Sequence, residues 1–247
     1  MVDDDEVVFE ASLEMGVFHW ISKCILVNQG VLKQEEFYVR RMHQLLTDLI
    51  VYMPLKVKDL RNRADDAARN KMMHENEGIQ FSVPLSGQHF EYFLHCINQL
   101  YLSTNDAASN LILDYWCPMD GGGGNIERYP SRQISLYKFL RLAGDLLVPA
   151  LYTPYVQMLT SISGHPDAAL HCFNLLKMNG LGAGGMGVNG GSNTISWDHF
   201  FASLNQYFSN LRQESYQHQP YQDTIYRTTP LARPMTKGIS PSEIQGL

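Results

Sequence analysis

Apolar residues along this chain recur mostly at spacings of three and four, the interval that stacks side chains on one face of a helix. The pattern is sharpest over residues 37–69. Tyr38, Met42, Leu45, Leu46, Leu49 and Met53 share one helical face, and Pro54 ends that helix and opens the next. A proline lacks the donor that a helix interior needs but fits the first helical position. The second helix carries a thin stripe of Val57, Leu60, Ala64, Ala67 and Ala68. On another of its faces Lys58, Arg61, Asp65 and Arg69 alternate in sign at helical spacing, which predicts a solvent-facing ladder of self-paired charges, each pair contributing at most about 0.5 kcal/mol.

The same reading extends in both directions. Residues 7–27 predict one helix with Val8, Ala11, Met15, Phe18, Ile21 (or Ser22) and Ile25 inward, an acidic run at its positive end, and a stop at Asn28-Gln29-Gly30. A polar loop over 75–87 leads into a helix over 88–102 that buries Phe90, Phe93, Leu94, Ile97 and Tyr101. Ser103-Thr104-Asn105-Asp106 supplies caps for a helix ending near Tyr115-Trp116, ahead of Pro118. Residues 118–130, with glycines at 121–124, predict an exposed loop. Ser131 is then expected to cap a helix that buries Ile134, Leu136, Phe139, Leu140, Ala143, Leu146 and Leu147 and is stopped by Pro149.

Thr153-Pro154 reads as a cap and first-turn proline for a helix burying Tyr155, Met158, Leu159 and Ile162. Pro166 opens a helix with Ala169, Cys172, Phe173 and Leu176 inside, closed by Asn179-Gly180. Residues 180–193 predict a glycine-rich insert. Ser196 caps a last helix whose Phe200, Phe201, Leu204, Tyr207, Phe208 and Leu211 are expected in the core, with a groove for a partner's helix as the functional reading of that face. Residues 215–247 read as a polar linker ending in a capping box, Ser240-Pro241-Ser242-Glu243, so that a helix begins and is cut short, as in a piece of a longer protein.

Roughly nine helices with no strand-period segment define an all-α fold. The expected architecture is stacked antiparallel helix pairs forming a segment of an α-helical solenoid over residues 1–214, with glycine-rich loop insertions at about 118–130 and 180–193, followed by the linker at 215–247.

Composition narrows the function classes. A net charge of −6 and a pI near 5.8 disfavour non-specific nucleic-acid binding, which needs a basic surface, and no apolar run approaches the ~20 residues of a membrane-spanning helix. Neither direct nucleic-acid contact nor membrane insertion is expected. Cys24, Cys96, Cys117 and Cys172 lack paired spacing and fit reduced thiols in helices.

Candidate chemistry is thin. Gly182, Gly184 and Gly187 match a dinucleotide fingerprint by letter, but no strand precedes them, and the next helix waits until Ser196. His95-Cys96 and His171-Cys172 place ligand types side by side, yet neighbours on a helix point about 100 degrees apart and do not chelate one ion together. Asp65-Asp66 belongs to the charge ladder, and Asp198-His199 beside Ser196 fits helix capping. No catalytic, cofactor-binding or metal-binding residue is assigned, no cofactor is expected, and no partner-binding residue is specified.

One family resemblance stands beside this reading. Residues 53–69, MPLKVKDLRNRADDAAR, are followed in order by DYWCP at 114–118, Arg132-Gln133, Lys138-Phe139, GDLL at 144–147, LYTPY at 151–155, HCF at 171–173, LLK at 175–177 and SWDHFF at 196–201. Together they resemble the large inner-ring scaffold nucleoporins of the nuclear pore complex, the family with animal 205-kilodalton and fungal 192-kilodalton members. The resemblance spans roughly residues 37–212 and departs in the two glycine-rich stretches. It implies a non-enzymatic segment from the middle of a long helical scaffold within a large symmetric assembly at the nuclear envelope. The partners it implies are other nucleoporins, among them the ninety-three-kilodalton adaptor and short linker nucleoporins. A soluble helical-repeat adaptor, similar to a transport receptor that binds cargo, is the alternative reading.

Overall fold

The computed structural model describes residues 4–27, 35–79, 81–102, 110–116, 130–181 and 194–217. In chain order these form α1 (Asp4–Glu14), α2 (Val17–Trp20) running on into a π-turn (Ile21–Ile25), α3 (Glu36–Tyr52), α4 (Pro54–Asn76) and α5 (Leu85–Leu102). A 3-10 turn (Leu113–Tyr115), α6 (Ser131–Gly144), α7 (Pro149–Ser161), α8 (Pro166–Leu181) and α9 (Trp197–Gln217) follow. Among the described residues there is no strand, only an isolated antiparallel bridge between Asp145 and Thr194. The fold is all-α, a segment of solenoid-type helix stacking. Two compact units divide it, Met1–Asp198 and His199–Leu247.

The first unit is built around α5. Phe90, Phe93, Leu94, Cys96 and Ile97 are fully buried, and Gly87, His89, Leu100 and Tyr101 are buried with them, so more than one side of the helix is covered. It packs on α4 along one side and on α7 along another, with α1, α2 and its π-turn, and α3 also in contact. Close approach of α4 rests on small residues: a Cβ on Gly87 would lie 2.4 Å from the Cβ of Ala67. The π-turn, closed by the amide of Leu26 donating to the carbonyl of Ile21, turns Ser22 inward, where its hydroxyl donates to Gln99 Oε1 at 2.9 Å. Beside it the Cys96 thiol donates to the carbonyl of Phe18.

Pro54 occupies the first turn of α4, with Met53 the one non-helical residue between α3 and α4, as its chemistry predicts. Elsewhere the helix ends differ from the expected ones. The helix expected over 7–27 breaks at Gly16, whose φ of 73° ends α1 in the left-handed conformation that favours glycine. The break rotates the inward face: Leu13 is buried, while Val8 and Met15 are exposed.

Ser131 is the first residue of α6 and not its cap, a position held by Pro130. That helix stops at Gly144, so Leu146 is exposed with φ of 46°. Pro149 then opens α7, and Pro154 lies inside that helix, buried, with Thr153 helical rather than capping. Two prolines competed for the helix start; the earlier one took it because Leu151, Tyr155, Met158 and Leu159 then form one buried face. Gly144 is required where it stands, since a Cβ there would lie 2.3 Å from the hydroxyl of Tyr155. In α8 Leu176 is buried as expected, together with Ala168 and Leu175, whereas the expected Ala169 and Phe173 are exposed and Phe173 lies against the Trp197 ring at 5.6 Å.

From His199 the second unit begins. Its described residues form one helix, in which Leu204, Tyr207 and Phe208 are about half exposed, contrary to the expected core face. A single helix cannot bury its own face. Cys117, the caps at 103–106, the turn at 28–30, the loop at 118–129, the insert at 182–193 with Gly182, Gly184 and Gly187, and residues 218–247 lie outside the described residues.

Candidate functional site

The densest polar constellation forms inside the first unit, around His43. On α3 the buried residues are Val39, His43, Leu46, Thr47 and Ile50, so the inward stripe is rotated from the expected one, and Tyr38 and Leu45 face outward. Polar partners drive the rotation. His43 Nε2 lies 3.1 Å from Asp114 Oδ2 and Nδ1 lies 2.7 Å from the Tyr101 hydroxyl. A carboxylate oxygen only accepts, so Nε2 is the donor to Asp114. The Tyr115 hydroxyl lies 3.3 Å beyond Tyr101. Below them, Arg132 on α6 donates to Thr47 Oγ1 and to Asp48 Oδ1, the latter at 2.6 Å. Gln133 donates to the carbonyl of Trp116, whose indole N–H donates to the carbonyl of Ile162 at 3.0 Å.

An imidazole between a carboxylate and a hydroxyl suggests a relay, but the environment opposes that chemistry. Tyr101 and Tyr115 are buried, and burial pushes both phenols well above their ordinary range, so neither supplies an anion near neutral pH. The cluster joins α3, α5, the 3-10 turn and α6, and acts as a fastening between helices. No spacing rule over His43 and Thr47 identifies it, because their partners come from distant chain; the available signal was two polar residues four apart beside Leu46 and Ile50.

The expected charge ladder also takes another form. Arg61 and Asp65 are buried, 3.7 Å apart, and Arg61 Nη2 donates to the carbonyl of Asp145 at the end of α6. Among the described residues Arg61 Nε and Asp65 Oδ1 have no hydrogen-bond partner. Burial raises the Asp65 pKa, and the opposing pull of Arg61 and Arg69 does not cancel it. The exposed pairs of α4 are instead Asp59–Arg63 at 2.6 Å and Lys71–Glu75 at 3.7 Å.

His89, on the α4-facing part of the core, is buried with Nδ1 unpartnered among the described residues. Burial and then Arg63 lower its pKa from 6.5, with Glu10 opposing. The unfolded chain therefore takes up the proton first, so stability is full above 6.5 and is lost as pH falls from there through the lowered native pKa. His89→Leu is expected to flatten the dependence of the urea midpoint on pH between about 7 and 5; an unchanged slope would show that other groups set it.

The other ligand-type residues do not converge. His95 pairs with Glu91 at 3.6 Å, and burial drives the thiol of Cys96 up to about 12. Cys172 is half-buried, with its thiol also pushed up by burial. Among the described residues no group of three His, Cys, Asp or Glu side chains is placed to hold a metal, and no helix is long and apolar enough to cross a membrane.

One opening on the first unit is largely apolar. A groove of about 380 Å³ runs between α1, α2 and α3, lined by Val8, Phe9, Phe18, Ile21, Leu46 and Leu49, among others. Met15, Trp20, Leu45 and Tyr52 stand exposed near it. Helices packed on one another and joined by buried polar groups place the chain in the class of all-α, solenoid-type helical proteins.

The family model of nuclear pore complex scaffold nucleoporins 186/192/205 matches residues 17–247. The chain is 37% identical over 255 residues to the nuclear pore complex protein Nup205 of Homo sapiens, covering 98% of this chain and 12% of that protein. It is 29% identical over 238 residues to Nup205 of Drosophila melanogaster, covering 96% of this chain and 11% of the relative. The chain belongs to this family of nuclear pore complex scaffold nucleoporins. It spans about an eighth of the length of these relatives.

Proposed function

We propose that the chain is a non-catalytic segment of the inner ring of the nuclear pore complex, which holds other nucleoporins through its exposed helical faces and supports nucleocytoplasmic transport through the ring it helps build. An adaptor of the ninety-three-kilodalton type and short linker nucleoporins are the proposed partners. The observation that carries this reading is the division of labour among side chains. His43, Tyr101, Arg132 and Arg61 fasten helices to one another, whereas the open groove is apolar and offers contact area to another protein surface.

Fluorescently tagging the parent protein in cells and photobleaching it tests the proposal. A signal at the nuclear rim that recovers over hours is expected of a scaffold. Diffuse signal, or recovery within seconds, would count against it.

A further inference from the structure

The helix α1 is tied to the rest of its unit in an unusual way. Of its residues only Leu13 is buried, and Val7 and Val8 are more than half exposed. Its Val8, Phe9 and Ser12 form one wall of the 380 Å³ groove, with Leu45, Leu46, Leu49, Tyr52 and Met53 of the α3 side opposite. Beside that groove α1 is also held by charge. Lys56 Nζ of α4 lies 2.5 Å from Glu6 and 2.8 Å from Glu10, and Arg63 reaches Glu10 at 3.6 Å. The chain then turns at Gly16 in the left-handed conformation, which separates α1 from α2.

We propose that α1 is a releasable strap: a helix latched through Glu6 and Glu10 onto Lys56 and Arg63, pivoting at Met15-Gly16, whose release widens the apolar groove between α2 and α3. Little apolar burial resists its opening, because Leu13 is the main buried anchor, whereas α5 is covered on several sides. Partly exposed ion pairs weaken as salt screens them, so the strap opens with ionic strength while the core does not. The latch is also specific to a cation at position 56, since both glutamates converge on one ammonium.

Amide hydrogen exchange of the whole 247-residue chain, read by mass spectrometry at low and high sodium chloride, tests this. Exchange in residues 4–14 is expected to accelerate roughly three- to tenfold with salt, with residues 90–101 unchanged. Lys56→Gln should show fast exchange in α1 already at low salt and lose most of the salt response, and Lys56→Arg should restore protection. Salt-independent exchange in α1, acceleration shared equally by α5, or a Lys56→Gln chain protected like the wild type would each overturn the proposal.

Discussion

Replacing Arg61 by methionine is expected to destabilise the chain by about 3–5 kcal/mol, a loss that replacing Asp65 by leucine in the same molecule should largely reverse. The asymmetry follows from burial. Both side chains are removed from water, and their 3.7 Å separation is long for an ion pair that must offset desolvation. The raised pKa of Asp65 carries the same message, because burial outweighs the attraction of Arg61 and Arg69. With the native pKa above the unfolded value of 3.8, the folded state keeps its proton longer as pH rises, so ionised Asp65 is a cost at neutral pH. Removing Arg61 alone leaves that carboxylate buried without its nearest partner and strips a donor from the carbonyl of Asp145. Removing both leaves apolar side chains of similar length between α4 and α6, a change that is neutral or stabilising in comparable buried pairs. Urea midpoints of the wild type, the two single variants and the double variant close the cycle. A single Arg61→Met loss below about 1 kcal/mol, or a double variant as unstable as the sum of the singles, would refute the account.

Phe93→Ala should cost about 3–5 kcal/mol, a large share of the 5–15 kcal/mol that holds a typical domain folded. Phe93 is fully buried near the middle of α5, with the Phe18 ring at 5.1 Å on one side and the Phe139 ring at 5.8 Å on another. Truncation empties the point where α2, α5 and α6 meet, and the surrounding rings are held by their own helices and relax only partly. Leu204→Ala on the half-exposed face of α9 should change stability by no more than about 1 kcal/mol. A Phe93→Ala loss below about 1 kcal/mol would mean that the first unit is not organised on α5.

Much of the fold was legible in the chain. The apolar spacing around Phe90, Phe93, Leu94, Ile97 and Tyr101 named the buried face of α5 correctly, and Pro54 marked the junction of α3 and α4. These features are local. Where the reading slipped, a competing local signal of equal strength was present. Pro149 and Pro154 both fit a first helical turn, and the apolar rhythm of residues 8–25 runs through Gly16 without a mark. The rotated stripe on α3 slipped for another reason: Leu45 is more hydrophobic than His43 or Thr47, yet it is exposed while they are buried. The candidate chemistry followed the same division. Adjacent His-Cys pairs were weighed from helical geometry alone, whereas the His43 cluster is invisible until α3, α5 and the 3-10 turn are brought together.

By itself the sequence determined the helical class, the junction at Pro54, the inward face of α5 and the family strings, because each rests on spacing within a few turns or on residue order. Tertiary structure decided which polar groups enter the core. His43 finds its partners 58 and 71 residues away, and Arg61 finds the carbonyl of Asp145 84 residues away. An imidazole or a guanidinium is tolerated in the interior only where distant chain supplies its hydrogen bonds, and that supply is set by packing rather than by neighbours in sequence.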